Sequence, residues 1–379
     1  MIEWLEREMF RKSLTNPVVF KNFVRRVAYG LAGGDPEKVH EMALEALREY
    51  SDVVKEVSGN FDFPNLHVDV CGKDVMPFGP AEGLDKNGVA LNSLAEIFGF
   101  VPWGTCVVPQ RDGNKRPRVA MDEKNEIGYN AQGFPHLGLD AAEDKVKEYS
   151  GLKSLLSSVC GIPPSPEKID VAYGELEILT ARLAPYSDGI IWNPFSPNTD
   201  ALKLLRTKEV FTKSAGLVRK IIGDKLLLVK MGPYDDNSEK RNEWLSLAEA
   251  FLEGGGDGIV AVNTYMIPKE QVPSKDWGYP VAGASGKFLP DYRQRAITDF
   301  RQAFGKKPFL IGVGGIDSAE EAFAAFEAGA NVLAAYTPYI FNGFGLLPQI
   351  AKGVEKKLQE RGYKTLREFQ KDKGLVAVS

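Results

Sequence analysis

Histidine and cysteine are scarce in this chain of 379 residues, with three of each. Cys71, Cys106 and Cys160 are scattered and odd in number, which argues against a disulfide framework and fits a reducing compartment. His40, His67 and His136 stand far apart, and none is spaced with a cysteine or carboxylate as metal ligands are, so no zinc centre is expected. Long apolar runs are also missing: none reaches the roughly 18–20 residues that span a bilayer. The opening Met-Ile-Glu-Trp-Leu-Glu-Arg-Glu is too acidic and too interrupted for a signal peptide. The net charge of −4 leaves no basic excess for nucleic acid, so no such partner is expected. These absences point to the cytoplasm, or to a membrane bound from its cytoplasmic side.

What is present is an ordinary globular composition, 44% hydrophobic and 26% charged. Residues 1–62 read as a helical extension without strand signals. Trp4, Leu5, Met9, Phe10 and Leu14 recur at helical spacing, and a second segment interleaves Val18, Phe20, Phe23 and Val27 with Lys21, Arg25 and Arg26. Asp35-Pro36 has the form of an N-cap followed by proline at the first helical position. From residue 63 to 379 the texture changes to short aliphatic runs alternating with helical stretches. Strands are expected at Pro77–Ala81, Val101–Cys106, Leu156–Ile162, Gly189–Asn193, Leu226–Met231, Gly258–Val262, Pro308–Val313 and Asn331–Ala335. The clearest helices are Ser238–Glu253, Tyr292–Phe304, Ser318–Ala328 and Leu346–Arg361. Eight such units predict an α/β fold, a (β/α)8 barrel of the TIM type with an N-terminal helical extension. A doubly wound sheet is the alternative, but no Gly-x-Gly-x-x-Gly follows the first strand. Gln110–Asn130 is too long for a simple loop and predicts an excursion over the top of the barrel.

Barrel chemistry sits at the C-terminal ends of the strands. There the sequence places Ala81-Glu-Gly83-Leu-Asp-Lys86, Gly104-Thr105, Asn193-Pro-Phe-Ser196-Pro-Asn198-Thr199, Lys230, Asn263-Thr264, Gly312-Val-Gly314-Gly315 and Tyr336-Thr337. A lysine closing a doubly buried strand requires an anion or access to solvent. The glycine run before a helix, with the loop after the eighth strand, is the usual phosphate position of the fold, although a plain tight turn has the same appearance. Asn130, Asn193, Asn198 and Asn263 each carry a donor and an acceptor, which suits a flat ligand with imide and carboxylate groups; any one alone reads as a turn residue. Ser196 lies between two of them. With histidine so scarce a hydrolytic triad is not expected, and a serine acting as base needs help from its surroundings or from water.

In these residues the chain resembles the dihydroorotate dehydrogenases, in particular the membrane-associated, quinone-reducing class. The similarity runs from about Asp35 to Gly362. Gly83-Leu-Asp-Lys86 and Asn193-x-x-Ser196-Pro-Asn198-Thr199 resemble the family's flavin-contacting and catalytic motifs, and Val262-Asn263-Thr264, Ser285-Gly286-Lys287, Gly312-Val-Gly-Gly315 and Tyr336-Thr337 follow in order. The other class of the family carries cysteine as its base; serine at 196 and the long helical N-terminus resemble the quinone class. The resemblance implies that Ser196 takes a proton from C5 of dihydroorotate while hydride passes from C6 to FMN, giving orotate. It implies substrate contacts from Lys86, Asn130, Gly133, Phe134, Asn193, Asn198, Asn263 and Thr264. Cofactor contacts fall to Ala81, Gly83, Lys86, Gly104, Thr105, Asn193, Lys230, Asn263, Ser285, Gly286, Gly314, Gly315, Tyr336 and Thr337, with Lys230 offsetting charge on the reduced ring. A quinone would enter beneath the N-terminal helices, whose apolar faces and Lys21, Arg25 and Arg26 suit peripheral contact with the cytoplasmic face of the inner (cell) membrane.

Five places depart from the family pattern. Pro135 stands where an asparagine is usual, and Gly161-Ile-Pro163-Pro164 replaces an Asn-Ile-Gly. Met121 stands where an arginine lines the quinone tunnel. Glu82 replaces a small apolar residue, and Pro194-Phe195 fill the serine motif with bulkier groups. They leave open an FMN-dependent paralogue acting on another cyclic amide or enone. A non-redox phosphate-binding barrel is a further alternative, though no lysine–carboxylate pair stands out at the strand ends as a Schiff-base site.

Overall fold

The computed structural model describes residues 2–196, 198–232 and 237–375. Eight parallel strands lie at the expected runs: β1 (Phe78–Pro80), β2 (Phe100–Cys106), β3 (Ser154–Val159), β4 (Gly189–Trp192), β5 (Leu226–Lys230), β6 (Gly258–Ala261), β7 (Phe309–Val313) and β8 (Val332–Ala335). Every residue in them is buried. Burial on both faces is why they read as continuous apolar runs rather than as an alternation. Hydrogen-bonded order runs from β2 through β8 and on to β1. At the remaining seam Gly99 N–H donates to the Phe78 carbonyl at 2.9 Å. Gly79 makes that approach possible, since a Cβ there would lie 2.8 Å from the Phe100 ring. The ring of strands thus nearly closes as a barrel, which sets the doubly wound alternative aside.

Most expected boundaries differ from the observed ones by one to three residues. The third strand ends at Val159 rather than Ile162, because the Ile162 N–H is taken by the Glu175 carboxylate at 2.8 Å. Pro163 and Pro164, which cannot donate to a ladder, follow directly. The helix Ser238–Glu253 has its expected bounds, and Pro290–Phe304, Ala319–Ala328 and Leu346–Glu360 lie within a few residues of theirs.

The N-terminal part forms helices Ile2–Thr15, Pro17–Val19, Arg25–Leu31, Pro36–Glu49 and Ser51–Val57, with Phe20–Val24 as a π-helical turn between the second and third. Asp35 caps its helix by accepting from the Glu37 and Lys38 N–H groups at 2.9 and 3.3 Å. Leu14, Leu44, Leu47, Val53 and Val54 are buried on the inner side. Full burial contributes about 1.5–3 kcal/mol for each such side chain. The outer side leaves Trp4, Phe23 and Leu31 exposed, at 64%, 56% and 74%.

The Gln110–Asn130 excursion contains a hairpin, Val119–Asp122 with Ile127–Asn130. It does not stand alone. A second insertion after β6, Tyr265–Pro268 with Val281–Gly286, pairs with it to form a four-stranded antiparallel lid, in register Gly283↔Asn130. Tyr129, Ile267, Trp277 and Ala282 give the lid its own small core. Ion pairs tie the lid to the N-terminal helices. Arg118 meets Glu37 at 2.8 Å with both side chains buried, and Arg25 meets Glu123 through two contacts of 2.6 Å. Lys21 reaches Glu126, also at 2.6 Å. Of Lys21, Arg25 and Arg26, which were expected to suit a membrane, the structure corrects Arg25 alone: it is buried against the lid, while Lys21 and Arg26 stay exposed. Carboxylates of the lid turn pair with Lys21 and Arg25.

Candidate active site

Between the C-terminal ends of the strands and the lid lies an open cleft. All the site residues named from the sequence line it. Ala81, Gly83 and Lys86 come from the loop after β1, Gly104 and Thr105 from β2, and Asn193, Ser196 and Asn198 from the loop after β4. Lys230 comes from β5 and Asn263 and Thr264 from the loop after β6. Gly314 and Gly315 follow β7, and Tyr336 and Thr337 follow β8. The lid contributes Asn130, Gly133, Phe134, Ser285 and Gly286. Pro197 of the serine motif lies outside the described residues.

The amides form two pairs, Asn193 with Asn263 and Asn198 with Asn130. Asn193 Nδ2 donates to Thr105 Oγ1 at 2.8 Å, and that hydroxyl lies 2.9 Å from Ser158 Oγ. Asn263 Nδ2 donates to the Phe195 carbonyl at 3.2 Å and stands 3.4 Å from Asn193 Oδ1, while its own Oδ1 accepts from Thr264 N–H at 2.8 Å. Asn198 Nδ2 donates to Asn130 Oδ1 at 2.7 Å, and Asn130 Nδ2 to the Gly283 carbonyl at 3.1 Å. Side chains locked in this way present their remaining donors and acceptors in fixed directions, which costs less on ligand binding than freezing mobile groups. Ser196 is buried in the cleft wall, and none of the three histidines lines the cleft. Thr264 Oγ1 is buried without a hydrogen-bond partner among the described residues. Phe134 sits at φ 57°, a conformation rare outside glycine that costs about 1–3 kcal/mol and concentrates at functional sites.

Lys86 donates to the Gly83 carbonyl at 3.0 Å. Burial lowers its ammonium to a pKa of about 8, against the opposing pull of Glu37 and Asp85. The loop that carries it is held by Asp85, whose carboxylate accepts from the Val89 and Ala90 N–H groups at 2.9 and 2.8 Å. At the far end of the cleft, Gly314 and Gly315 turn at φ 109° and 64°. A Cβ on either would meet Leu289 or Pro290 at 2.8 and 2.6 Å, so the backbone itself lines the cleft there. Thr337 Oγ1 donates to Ser285 Oγ at 2.9 Å and ties this end to the lid. Small residues, backbone amides and hydroxyls at one end and a flat amide-lined chamber at the other suit a group with a phosphate tail and a planar ring. Among the described residues no cluster of histidine, cysteine or carboxylate could hold a metal.

One feature escaped the sequence. Lys230 does have the anion that its burial requires: Glu82, at 2.7 Å, a residue read there only as a departure. Their separation of 148 residues left no local signal. A second cleft, apolar, lies between the N-terminal helices and the barrel, beneath the helices where a quinone was expected to enter. It shares Val119, Met121, Gln132, Tyr336 and Ile340 with the first as a common wall. His40 lines it with its ring 5.4 Å from that of Tyr336. Burial, and then the nearby Lys86 charge, lower the His40 pKa to about 3, so the imidazole is neutral. Arg25 also lines this cleft, already paired with Glu123.

Comparison with known proteins bears on this arrangement. A family model described as dihydroorotate dehydrogenase matches residues 65–358. The chain is 30% identical over 357 residues to a dihydroorotate dehydrogenase (quinone) of Rhodospirillum rubrum, covering 90% of this chain and 93% of that protein. It is 31% identical over 347 residues to one of Anaeromyxobacter dehalogenans, covering 88% and 92%. Among solved structures, DHODH of Eimeria tenella in complex with ferulenol superposes with a TM-score of 0.75 at 23% identity, over 90% of this chain and 97% of that one, a likeness of fold.

The lowered Lys86 pKa makes a prediction about anion binding. Below about pH 8 the ammonium is charged and ready for a carboxylate; above it, a proton must be taken up with the anion. With orotate as the probe anion, affinity measured by calorimetry should weaken above about pH 8, by at most roughly tenfold per pH unit. Lys86→Ala should bind weakly and without that slope. A native affinity that stays flat as the pH climbs from about 7 to about 10 would show that Lys86 does not meet the anion.

Proposed function

The chain belongs to the dihydroorotate dehydrogenase family, and from that premise we propose that it oxidises dihydroorotate to orotate, with FMN as its flavin and a quinone as the electron acceptor, in de novo pyrimidine synthesis. The observation that carries the reading is the meeting of Ser196 with Asn130, Asn193, Asn198 and Asn263 in one cleft that no histidine lines. Such a set is made for a flat cyclic imide and for proton abstraction at carbon, not for acyl transfer.

In this mechanism Lys86 and the asparagine amides bind the carboxylate and ring of dihydroorotate and hold its C5 hydrogen against Ser196. Ser196 accepts that proton and passes its own hydroxyl proton to water, there being no imidazole to take it. Bound FMN would supply a hydride acceptor for C6 and hold the electron pair for the quinone. Ala81, Gly104, Thr105, Lys230, Ser285, Gly286, Gly314, Gly315, Tyr336 and Thr337 would hold the cofactor. The lid covers the cleft and limits access of water.

The quinone is assigned to the apolar cleft, because that cleft shares a wall with the first and keeps His40 uncharged. Residues 1–62 then act as a quinone- and membrane-facing extension of the barrel, 63–379. Among the described residues no helix is long and apolar enough to cross a membrane, so the proposed attachment is peripheral, through Trp4, Phe23 and Leu31 on the cytoplasmic face of the cell membrane. Met121, in the shared wall, replaces a charged contact with an apolar one. A second reading, a flavin paralogue for another cyclic amide or enone, is favoured by one feature: Pro135 lines the cleft and offers no amide.

Ser196→Ala should keep its flavin but reduce it at least about 100-fold more slowly with dihydroorotate in anaerobic rapid mixing, the low end of what a positioned base contributes. An unchanged rate would remove Ser196 as the base. Removal of residues 1–34 should lower liposome binding and quinone turnover far more than flavin reduction. Equal loss of both would make these helices structural only.

A further inference from the structure

At the floor of the cleft two strands from opposite sides of the barrel meet through one ion pair. Lys230 ends β5, and Glu82 follows β1, four strands away around the ring. Lys230 Nζ donates to Glu82 Oε2 at 2.7 Å, and the two side chains retain only 7% and 2% of their exposure. The second oxygen, Glu82 Oε1, is buried with no hydrogen-bond partner among the described residues, although Glu82 lines the cleft. A pair of this kind is a poor device for stability, since apolar residues of similar volume often serve as well or better. What the carboxylate changes is charge. With it the floor of the cleft is neutral; without it the floor carries the lone ammonium of Lys230.

We propose that Glu82 is a redox-tuning residue, which cancels the Lys230 charge beside the flavin and so holds the flavin's reduction potential below the value Lys230 alone would give. The inference rests on the flavin reading above. Oxidation of dihydroorotate delivers an electron pair and one proton to the flavin as hydride and releases the second proton to the protein. Taken up in that form, the pair leaves the ring with one more negative charge. An uncompensated ammonium in a buried site stabilises that charge, and a carboxylate next to the ammonium removes most of the benefit. The electrons therefore go onto the flavin less readily and leave it for an acceptor more readily, by the same factor.

The test measures the midpoint potential of the FMN-loaded protein by equilibration with reference dyes. Glu82→Gln should favour the reduced flavin at least tenfold over the native protein, about 30 mV for a two-electron couple. Lys230→Met should shift it the other way, and the double variant should return to within about threefold of native, one neutral floor having replaced another. A Glu82→Gln potential equal to or below the native one overturns the proposal. If Glu82→Gln alone does not hold FMN, the comparison of Lys230→Met with the double variant decides. A double variant at least tenfold easier to reduce than Lys230→Met supports the role of Glu82; equal potentials overturn it. A native protein that takes up no FMN overturns the functional reading itself, an outcome visible as a colourless preparation before any potential is measured.

Discussion

A ring of parallel strands has a geometric consequence on which the rest of this molecule depends. Each strand of the ring ends on the same rim, so residues hundreds of positions apart in sequence become neighbours there. Gly83 and Thr337 line one cleft for this reason, as do Thr105 and Asn193, which share a 2.8 Å hydrogen bond. The rim is dry below and covered above, which gives its electrostatics weight. Lys86 loses part of its basicity there and Lys230 is paired with Glu82, while in the adjoining apolar cleft burial keeps His40 neutral. Burial sets the protonation states of Lys86 and His40, and they bear on which ligands can be held.

The lid and the helical extension are joined by charge. Arg25, Lys21 and Arg118 each take a carboxylate of the other element, across the edge of the apolar cleft. These contacts place the wall of Met121 and Gln132 between the two cavities. The buried Arg118–Glu37 pair is the strongest tie, since loss of one partner would strand the other charge at a cost of about 3–5 kcal/mol. Surface pairs such as Arg48–Glu45, with both side chains more than half exposed, contribute little.

Much of this was legible in the residues. All eight strands were, because a strand buried on both faces must be written as an unbroken aliphatic run. The Asp35-Pro36 helix start was legible because cap chemistry is local, and the Ser196 motif because its polar residues stand just where a run ends. Pairings between distant segments were not. Tyr265–Pro268 and Val281–Gly286 carry no sign that they complete a sheet begun by Val119–Asp122, since half-covered antiparallel edges have weak patterns. Glu82 could be seen as unusual but not as the partner of Lys230. Lys21 and Arg25 sat on an amphipathic helix that looked suited to lipid, and helical phase alone could not tell lipid phosphate from the carboxylates of the lid.

The central claim is that this rim removes hydrogen from dihydroorotate. The most direct measurement is an anaerobic titration of the native flavin-loaded protein with dihydroorotate, followed through the visible absorbance of the flavin. Bleaching in proportion to added substrate, with orotate formed in equal amount, is the predicted result. A flavin that stays oxidised at saturating dihydroorotate, yet bleaches with another cyclic amide, would contradict the claim and move the chain to a different substrate within its family.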